Sequence, residues 1–390
     1  MIPDDRHLRP GFAARLAVLY GAFFAVAGIM QPFFPVWLQA KGLDAGTIGL
    51  VLAMPQLLRI VAIPAVTRAA DRRDALRTAL VLASCLSVLG YAATGLAEGP
   101  AAILIVYALA AFAFTPVMPL AETYAFKGLT VRNRAYGPVR LWGSLTFIAG
   151  NFVAGFAADA MPARHLIWLI VAASVLNALA ALWLPPLSTP APATHEQQTA
   201  RKPLLRDPAF LAVLAAASLI QASHAVFYGF SALEWQGAGL DGTVIAALWS
   251  LGVIAEIVLF AFSGRLPAFF QPIVLIGLGA AAAALRWGVM ALDPPTMALP
   301  FLQVLHALSF GATHLGTLTY VARNTPHGQS ATAQGYLAVA LGAAMAAAMG
   351  LSGVLYAAVG VRAYAAMILA AIAGGACALI AQRARRVALH

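Results

Sequence analysis

The chain has 390 residues, of which 62% are hydrophobic and only 10% charged. Ordinary globular proteins carry about 25% charged residues, so too few charges remain to cover a soluble surface. A cytosolic enzyme and a disordered chain are both excluded. The net charge of +10 raises nucleic acid as a partner, but the placement of the basic residues, given below, argues against it. The two cysteines, Cys85 and Cys377, lie in apolar runs, so no disulfide framework is expected. The start MIPDDRHLRPGF is polar, and the apolar run after it is too long for a signal-peptide core.

A membrane helix needs about 20 mostly apolar residues, and twelve need roughly 240. Twelve helices are predicted, near 12–38, 46–68, 76–97, 101–127, 137–159, 165–184, 208–235, 242–264, 271–292, 297–322, 330–358 and 362–382. LDAG at 43–46, DRRD at 71–74, EGP at 98–100, LDG at 240–242 and DPP at 293–295 punctuate them. The longest polar stretch, 185–207, is rich in Pro, Thr, Gln and charge and reads as a linker. It separates an N-terminal half, 1–184, from a C-terminal half, 208–390. Prolines 32, 35, 55, 64, 116 and 119 are expected to bend the first, second and fourth helices.

An offset of 197 residues superimposes PFFPVWLQAKGLD (32–44) on GFSALEWQGAGLD (229–241). Six helices separate the copies, so they share an orientation, as in a parallel repeat about an axis along the membrane normal. Of the 24 Lys and Arg residues, 18 fall on one side of the predicted topology. Lys41, Arg164 and Arg362 fall on the other, and Arg59, Arg140 and Arg286 inside helices. Basic loops stay cytoplasmic, so both termini and the linker are expected inside, and the positive charge reads as a topology signal.

Motifs of soluble chemistry are absent. HEQQT at 195–199 has Thr199 where a zinc protease needs its second His, and no P-loop occurs. No catalytic residue, metal ligand or cofactor is expected, and any transport is expected to run on a gradient. Charged residues at bilayer depth cost about 2.5–3.5 kcal/mol each and mark function by default. Five stand out: Arg59, Glu122, Arg140, Glu256 and Arg286. Their surplus of positive charge suits an anionic ligand, or keeps a Glu from being protonated. Glu234, near the end of the seventh helix, is expected to reach water.

Arg59 and Glu256 are related by the same offset. They read as a ligand-anchoring Arg facing a titratable Glu, or as a permanent ion pair. Glu122 ends the fourth helix and Arg140 begins the fifth, as a binding pair or as a salt bridge stapling the hairpin. His224, His306 and His314 can shuttle protons near neutral pH or donate to helix carbonyls. His306 and His314, eight apart, share a helix face. Arg286, beside Trp287, lies too deep to snorkel and is assigned to a cavity.

The loop Asp71-Arg72-Arg73-Asp74 resembles the charged signature of the major facilitator superfamily, with Thr67 where Gly is usual. YGPVRLWGS (136–144), HAVFYGFSALEWQ (224–236), LWSLGVIAEIVLFAFS (248–263) and LRWGVM (285–290) resemble the phenylpropionate permease family nearly end to end. A more distant likeness is to the lactose permease family. There a helix 4 Glu and a helix 5 Arg bind substrate, at the spacing of Glu122 and Arg140. An aromatic stacking position maps to Phe147, and a helix 9 Arg and helix 10 His map to Arg286 and His306. The paired Asp and Lys of that family become Tyr228 and Gln303, and its proton-carrying Glu becomes Ser309. Its coupling site therefore does not carry over, and Glu256 is the remaining central carboxylate.

The resemblance implies an all-α membrane protein of the major facilitator fold, with twelve transmembrane helices in two six-helix halves, in the bacterial inner membrane and working as a monomer. The expected function is proton-coupled symport of a small aromatic monocarboxylate such as 3-phenylpropionate. Sugar or nucleoside symport and proton-driven export are the alternatives; a channel and an intramembrane enzyme are rivals from other classes. The expected substrate contacts are Arg59, Glu122, Arg140, Phe147, His224 and Tyr228. Either Arg59 or Arg140 is to anchor the carboxylate, with Phe147 under the ring two turns beyond Arg140. The expected proton-coupling set is Glu256, Arg286, His306 and His314, with Asp71 and Arg72 in the gating loop. The proton is the expected coupling ion, and the expected partners are the substrate and the lipid bilayer.

Overall fold

A computed structural model describes residues 11–187, 204–267, 269–326 and 329–388. The middle of the linker, with HEQQT, and both chain ends lie outside the described residues. Regular structure within them is helical throughout. Nine predicted helices form as single elements: α1 (Phe12–Ala40), α2 (Ala45–Arg72), α3 (Leu76–Leu96), α6 (Gly137–Ala160), α7 (Ile167–Trp183), α10 (Gly242–Phe262), α11 (Pro272–Met290), α14 (Ser330–Val359) and α15 (Tyr364–Ala388).

The other three are broken, each for its own reason. The fourth divides into α4 (Pro100–Phe114) and α5 (Val117–Val131), because Pro116 has no N–H to continue the ladder. The seventh divides into α8 (Pro208–Ala222) and α9 (Ala225–Gly237) without any proline. There the His224 N–H tightens onto the Gln221 carbonyl at 3.1 Å, and the Ser223 hydroxyl takes the Ile220 carbonyl at 2.6 Å. The tenth consists of α12 (Leu299–Val304), a π-helical turn at Ala307–Ala312, and α13 (Thr313–Asn324). Pro32 and Pro35 leave α1 unbroken, and α2 runs through Pro55 and Pro64.

Ten stretches of the described residues are long and apolar enough to cross a bilayer, and the chain is a multi-pass membrane protein. The last stretch, Thr332–Arg385, runs 54 residues and contains both α14 and α15. Outward-facing apolar side chains such as Leu89 and Leu109 are about two-thirds exposed, at 66% and 67%, as a surface wetted by acyl chains requires. Several helices stop on a left-handed residue that returns two N–H groups to the last turn. Gly42 (φ 83°) ends α1, Asp74 (φ 46°) ends α2 and Asn133 (φ 47°) ends α5. Asp71 and Arg72, of the expected gating loop, are exposed at the end of α2.

Contacts divide the described residues into two units. One holds those of Met1–Leu43, Val61–Pro192 and Gly239–Ala246; the other those of Asp44–Ile60, Ala193–Ala238 and Ala247–His390. Glycines set the closest helix crossings, since small residues let membrane helices approach. In the first unit a Cβ on Gly150 would lie 2.8 Å from the Ala25 carbonyl oxygen, and one on Gly155 would lie 2.6 Å from that of Gly242. In the second, a Cβ on Gly49 would lie 2.8 Å from Gly353 backbone. Two carboxylates hold helix starts. Asp44 accepts from the Thr47 N–H at 3.0 Å and its hydroxyl at 2.8 Å, and these bonds hold its carboxyl below the ordinary range. Asp159, at the end of α6, accepts from Gly242 N at 2.5 Å, Thr243 N at 2.9 Å and the Thr243 hydroxyl at 2.7 Å, at the start of α10.

Candidate functional site

The densest polar cluster of the second unit lies where α9, α10, α11 and the π-helical turn meet. Arg286, on α11, is fully buried at 0% exposure. Its Nη1 donates to His306 Nδ1 at 3.1 Å and its Nη2 to Gln303 Oε1 at 2.7 Å. The guanidinium lies over Phe227 at 4.4 Å and Trp287 at 4.7 Å, and its Nε is buried without a hydrogen bond. Arginine only donates, so His306 Nδ1 carries no proton in this arrangement and the ring proton sits on Nε2. Nε2 faces Glu256 Oε2 at 3.7 Å. His306 is therefore a bridge between a cation and a carboxylate, with one lone pair already used.

His224 fills the next position. Its Nδ1 lies 3.1 Å from the Ile220 carbonyl, which can only accept, so Nδ1 is protonated. Nε2 then accepts from the Ser309 hydroxyl at 3.1 Å. The ring meets Trp287 edge-on at 4.9 Å, and Tyr228 stacks on it at 5.7 Å. Trp249 stacks on Phe227 at 4.8 Å. A Cβ on Gly252 would lie 3.4 Å from that of His306. Three motifs far apart in the chain, HAVFYGFSALEWQ, LWSLGVIAEIVLFAFS and LRWGVM, thus supply one aromatic-walled polar cluster.

The π-helical turn explains the reach of the tenth helix. Its wider turn carries Ser309 to His224 and lets Phe310 stack between two histidines. His306–Phe310 lie at 5.2 Å and 14°, and Phe310–His314 at 5.9 Å and 12°. His306 and His314 thus share a face, as expected, with an aromatic ring as the rung between them.

The first unit has its own charged site. Tyr136 donates to Glu122 Oε1 at 3.5 Å and stacks on Phe126 at 4.7 Å. Arg140 lies over the Phe24 ring at 4.0 Å and within electrostatic reach of Glu122. A Cβ on Gly143 would meet Phe24 at 2.5 Å and Arg140 Nη1 at 3.0 Å. The YGPVRLWGS motif therefore supplies the hydroxyl, the cation and the space beside it. Phe147, one turn further, is buried at 9% exposure, and its backbone is pressed against Gly28.

Arg59 belongs to the second unit, where its aliphatic stem lies beside Gly342 of α14. Its hydrogen bond is to Gln56 Oε1 at 3.4 Å. The structure thus gives Glu256 a histidine neighbour and Arg59 an amide, where the repeat alone suggested each other. Glu234 differs from expectation. It is half-buried, and its Oε2 is enclosed without a well-formed hydrogen bond, with Tyr356 and Tyr364 near it. Among the described residues no group of three His, Cys, Asp or Glu side chains is placed to hold a metal.

Residues 13–366 match the MFS_1 like family, and the chain belongs to that family. It is a transporter of the major facilitator type, not an enzyme. It is 31% identical over 351 residues to the protein of Escherichia coli (strain K12) named "Probable 3-phenylpropionic acid transporter", covering 87% of this chain and 90% of that one. It is 28% identical over 334 residues to the maltose permease of Geobacillus stearothermophilus, covering 83% of each. In fold it is similar to the crystal structure of the nucleoside transporter NupG, with TM-score 0.80 and 16% identity, over 96% of this chain and 98% of that one. At that identity the likeness is one of fold.

Proposed function

We propose that the protein imports a small aromatic monocarboxylate, such as 3-phenylpropionate, together with a proton, by alternating access. In this reading ten apolar stretches become twelve spans, because Thr332–Arg385 holds two helices and the broken helix around the π turn is the other. Both termini and the linker are cytoplasmic, and the monomer sits in the bacterial inner membrane.

The observation that supports the substrate class is the state of three arginines within the helices, one buried (Arg286) and two half-buried (Arg59 and Arg140). Arg286 is committed to His306 and Gln303. Arg140 has Glu122 within electrostatic reach. Arg59 keeps a guanidinium whose hydrogen bond, to Gln56, is long. A carboxylate can accept two parallel bonds from such a group, and Arg59 is the anchor we assign. Similarity to a phenylpropionate transporter supports the aromatic body.

The proton is assigned to the Glu256–His306 pair. A proton on His306 Nδ1 and the hydrogen bond from Arg286 exclude each other, since both need the same lone pair. Protonation would therefore release Arg286 inside the site. Uptake into proteoliposomes with an imposed pH gradient tests the whole reading. Aryl carboxylates should accumulate and compete with one another, and Arg59→Gln should lose their affinity. Competition by neutral sugars or nucleosides alone would replace the substrate class. Unchanged affinity in Arg59→Gln would remove the anchor.

A further inference from the structure

Glu234 has no place in the site described so far. It sits ten residues beyond His224, near the end of α9, and it is the one acidic residue of that helix. Its Oε2 and the hydroxyl of Tyr364 are both buried and make no well-formed hydrogen bond, although the two side chains lie within hydrogen-bonding reach of each other. The groups that act on Glu234 come from three directions. Tyr364, on α15, faces it; Tyr356, on α14, lies within electrostatic reach; and Asp293, following α11, adds a like charge. None of the three is basic.

These partners are held rigidly. Tyr356 stacks on Phe230 at 4.4 Å and 14°. Tyr364, at 0% exposure, stacks on Trp287 at 5.7 Å and 16°. Tyr364 also acts electrostatically on Arg286, whose guanidinium covers the other neighbour, Trp287. Tyr364 is thus within electrostatic reach of both Glu234 and Arg286.

An ionised carboxylate is costly to enclose without a cation or a set of donors, and a neighbouring Asp raises that cost. A bound proton removes the charge. It also turns the carboxyl into a donor for the enclosed Tyr364 oxygen, which can accept. We propose that Glu234 is a second proton-binding site of this unit, distinct from the Glu256–His306 pair, whose charge is felt at Arg286 through Tyr364. In the step, one carboxylate oxygen takes a proton from a hydronium ion, forming an O–H bond as an O–H bond of hydronium breaks and leaves water, and the same proton returns to water when the site empties. The link to transport rests on the proton-coupled reading above; the binding of the proton does not.

Dicyclohexylcarbodiimide tests the site, because it adds covalently to protonated carboxyls in apolar surroundings. The full chain in detergent would be treated between about pH 5 and about pH 9, a range that brackets shifted carboxyls, and its peptides weighed. The Glu234 peptide should carry the adduct at the acidic end and lose it as pH rises, and Tyr364→Phe should move the pH at which it is lost. No adduct at Glu234 while Glu256 is labelled, or labelling independent of pH, would overturn the proposal. This readout needs neither substrate nor gradient, so it stands or fails apart from the substrate assignment. In exchange assays Glu234→Gln should displace the pH profile. An equal loss at every pH would assign Glu234 a structural role and break the link to Arg286.

Discussion

Arg286 and His306 are joined by a hydrogen bond, Nη1 to Nδ1 at 3.1 Å, that one tautomer of the imidazole permits. The bond fixes the ring proton on Nε2, toward Glu256. It also makes the arginine and an incoming proton competitors for the same atom. On the proposed coupling, the pair is a two-position device.

Replacing His306 by Gln separates the two positions. A glutamine oxygen can still accept from Arg286, but it takes no proton near neutral pH. Substrate exchange should persist with a flat pH dependence, while gradient-driven accumulation is lost. Arg286→Lys keeps the charge but loses the second directed bond and the flat stacking on Phe227 and Trp287. One charged hydrogen bond is worth about 1.5–3 kcal/mol, so uptake should fall by about tenfold or more. Normal accumulation by the His306 variant would remove this residue from coupling.

Glu256 offers an independent handle. Glu256→Gln keeps the size and removes the titration, so pH-driven accumulation should disappear while counterflow of labelled substrate continues. Loss of counterflow as well would indicate that Glu256 holds substrate or structure rather than the proton.

Gly143 controls the N-terminal charged pair. Because a Cβ there would meet Phe24 and Arg140, Gly143→Ala should push the guanidinium off its ring. Overpacking of this kind costs roughly 1–3 kcal/mol, read as a lower melting temperature, and substrate affinity should fall with it. If Arg140 contributes nothing to binding, affinity will stay put while only stability changes.

Asp159 closes the start of α10 from another helix. Asp159→Ala removes an acceptor for three donors, and lost N-terminal caps cost about 0.5–2 kcal/mol. Thermal unfolding should show a destabilisation of that order, with Asp159→Asn intermediate because one acceptor oxygen remains.

The basic bias makes a prediction about sidedness. A cysteine at Thr199 should react with an impermeant thiol reagent only from the cytoplasmic face, and one at Lys41 only from outside. Labelling of Thr199 in intact cells would invert the topology.

Much of the architecture was legible because it depends on composition over long windows. Apolar runs of membrane length and their polar punctuation placed nine helices to within a few residues of α1–α3, α6, α7, α10, α11, α14 and α15. The break at Pro116 follows from a missing donor that a sequence displays. The break at His224 does not, since it arises from hydrogen bonds of Ser223 and His224 to the turn before. The π turn at Ala307–Ala312 is likewise invisible, because its extra residue is accommodated by packing against α11 and leaves no compositional trace.

The repeat marks where sequence stops. GLD occurs at 42–44 and again at 239–241, and the pattern by itself assigns both Asp residues the same task. In the folded chain Asp44 caps its own helix through Thr47, whereas the start of α10 is held by Asp159 of α6. The identity and depth of the charged residues were written in the chain, since each costs too much to bury by chance. Which of them meet was not: His306 with Glu256, and Arg286 with His306 and Gln303. Pairing depends on distances of a few ångströms between helices far apart in sequence, and only the packed helices set those distances.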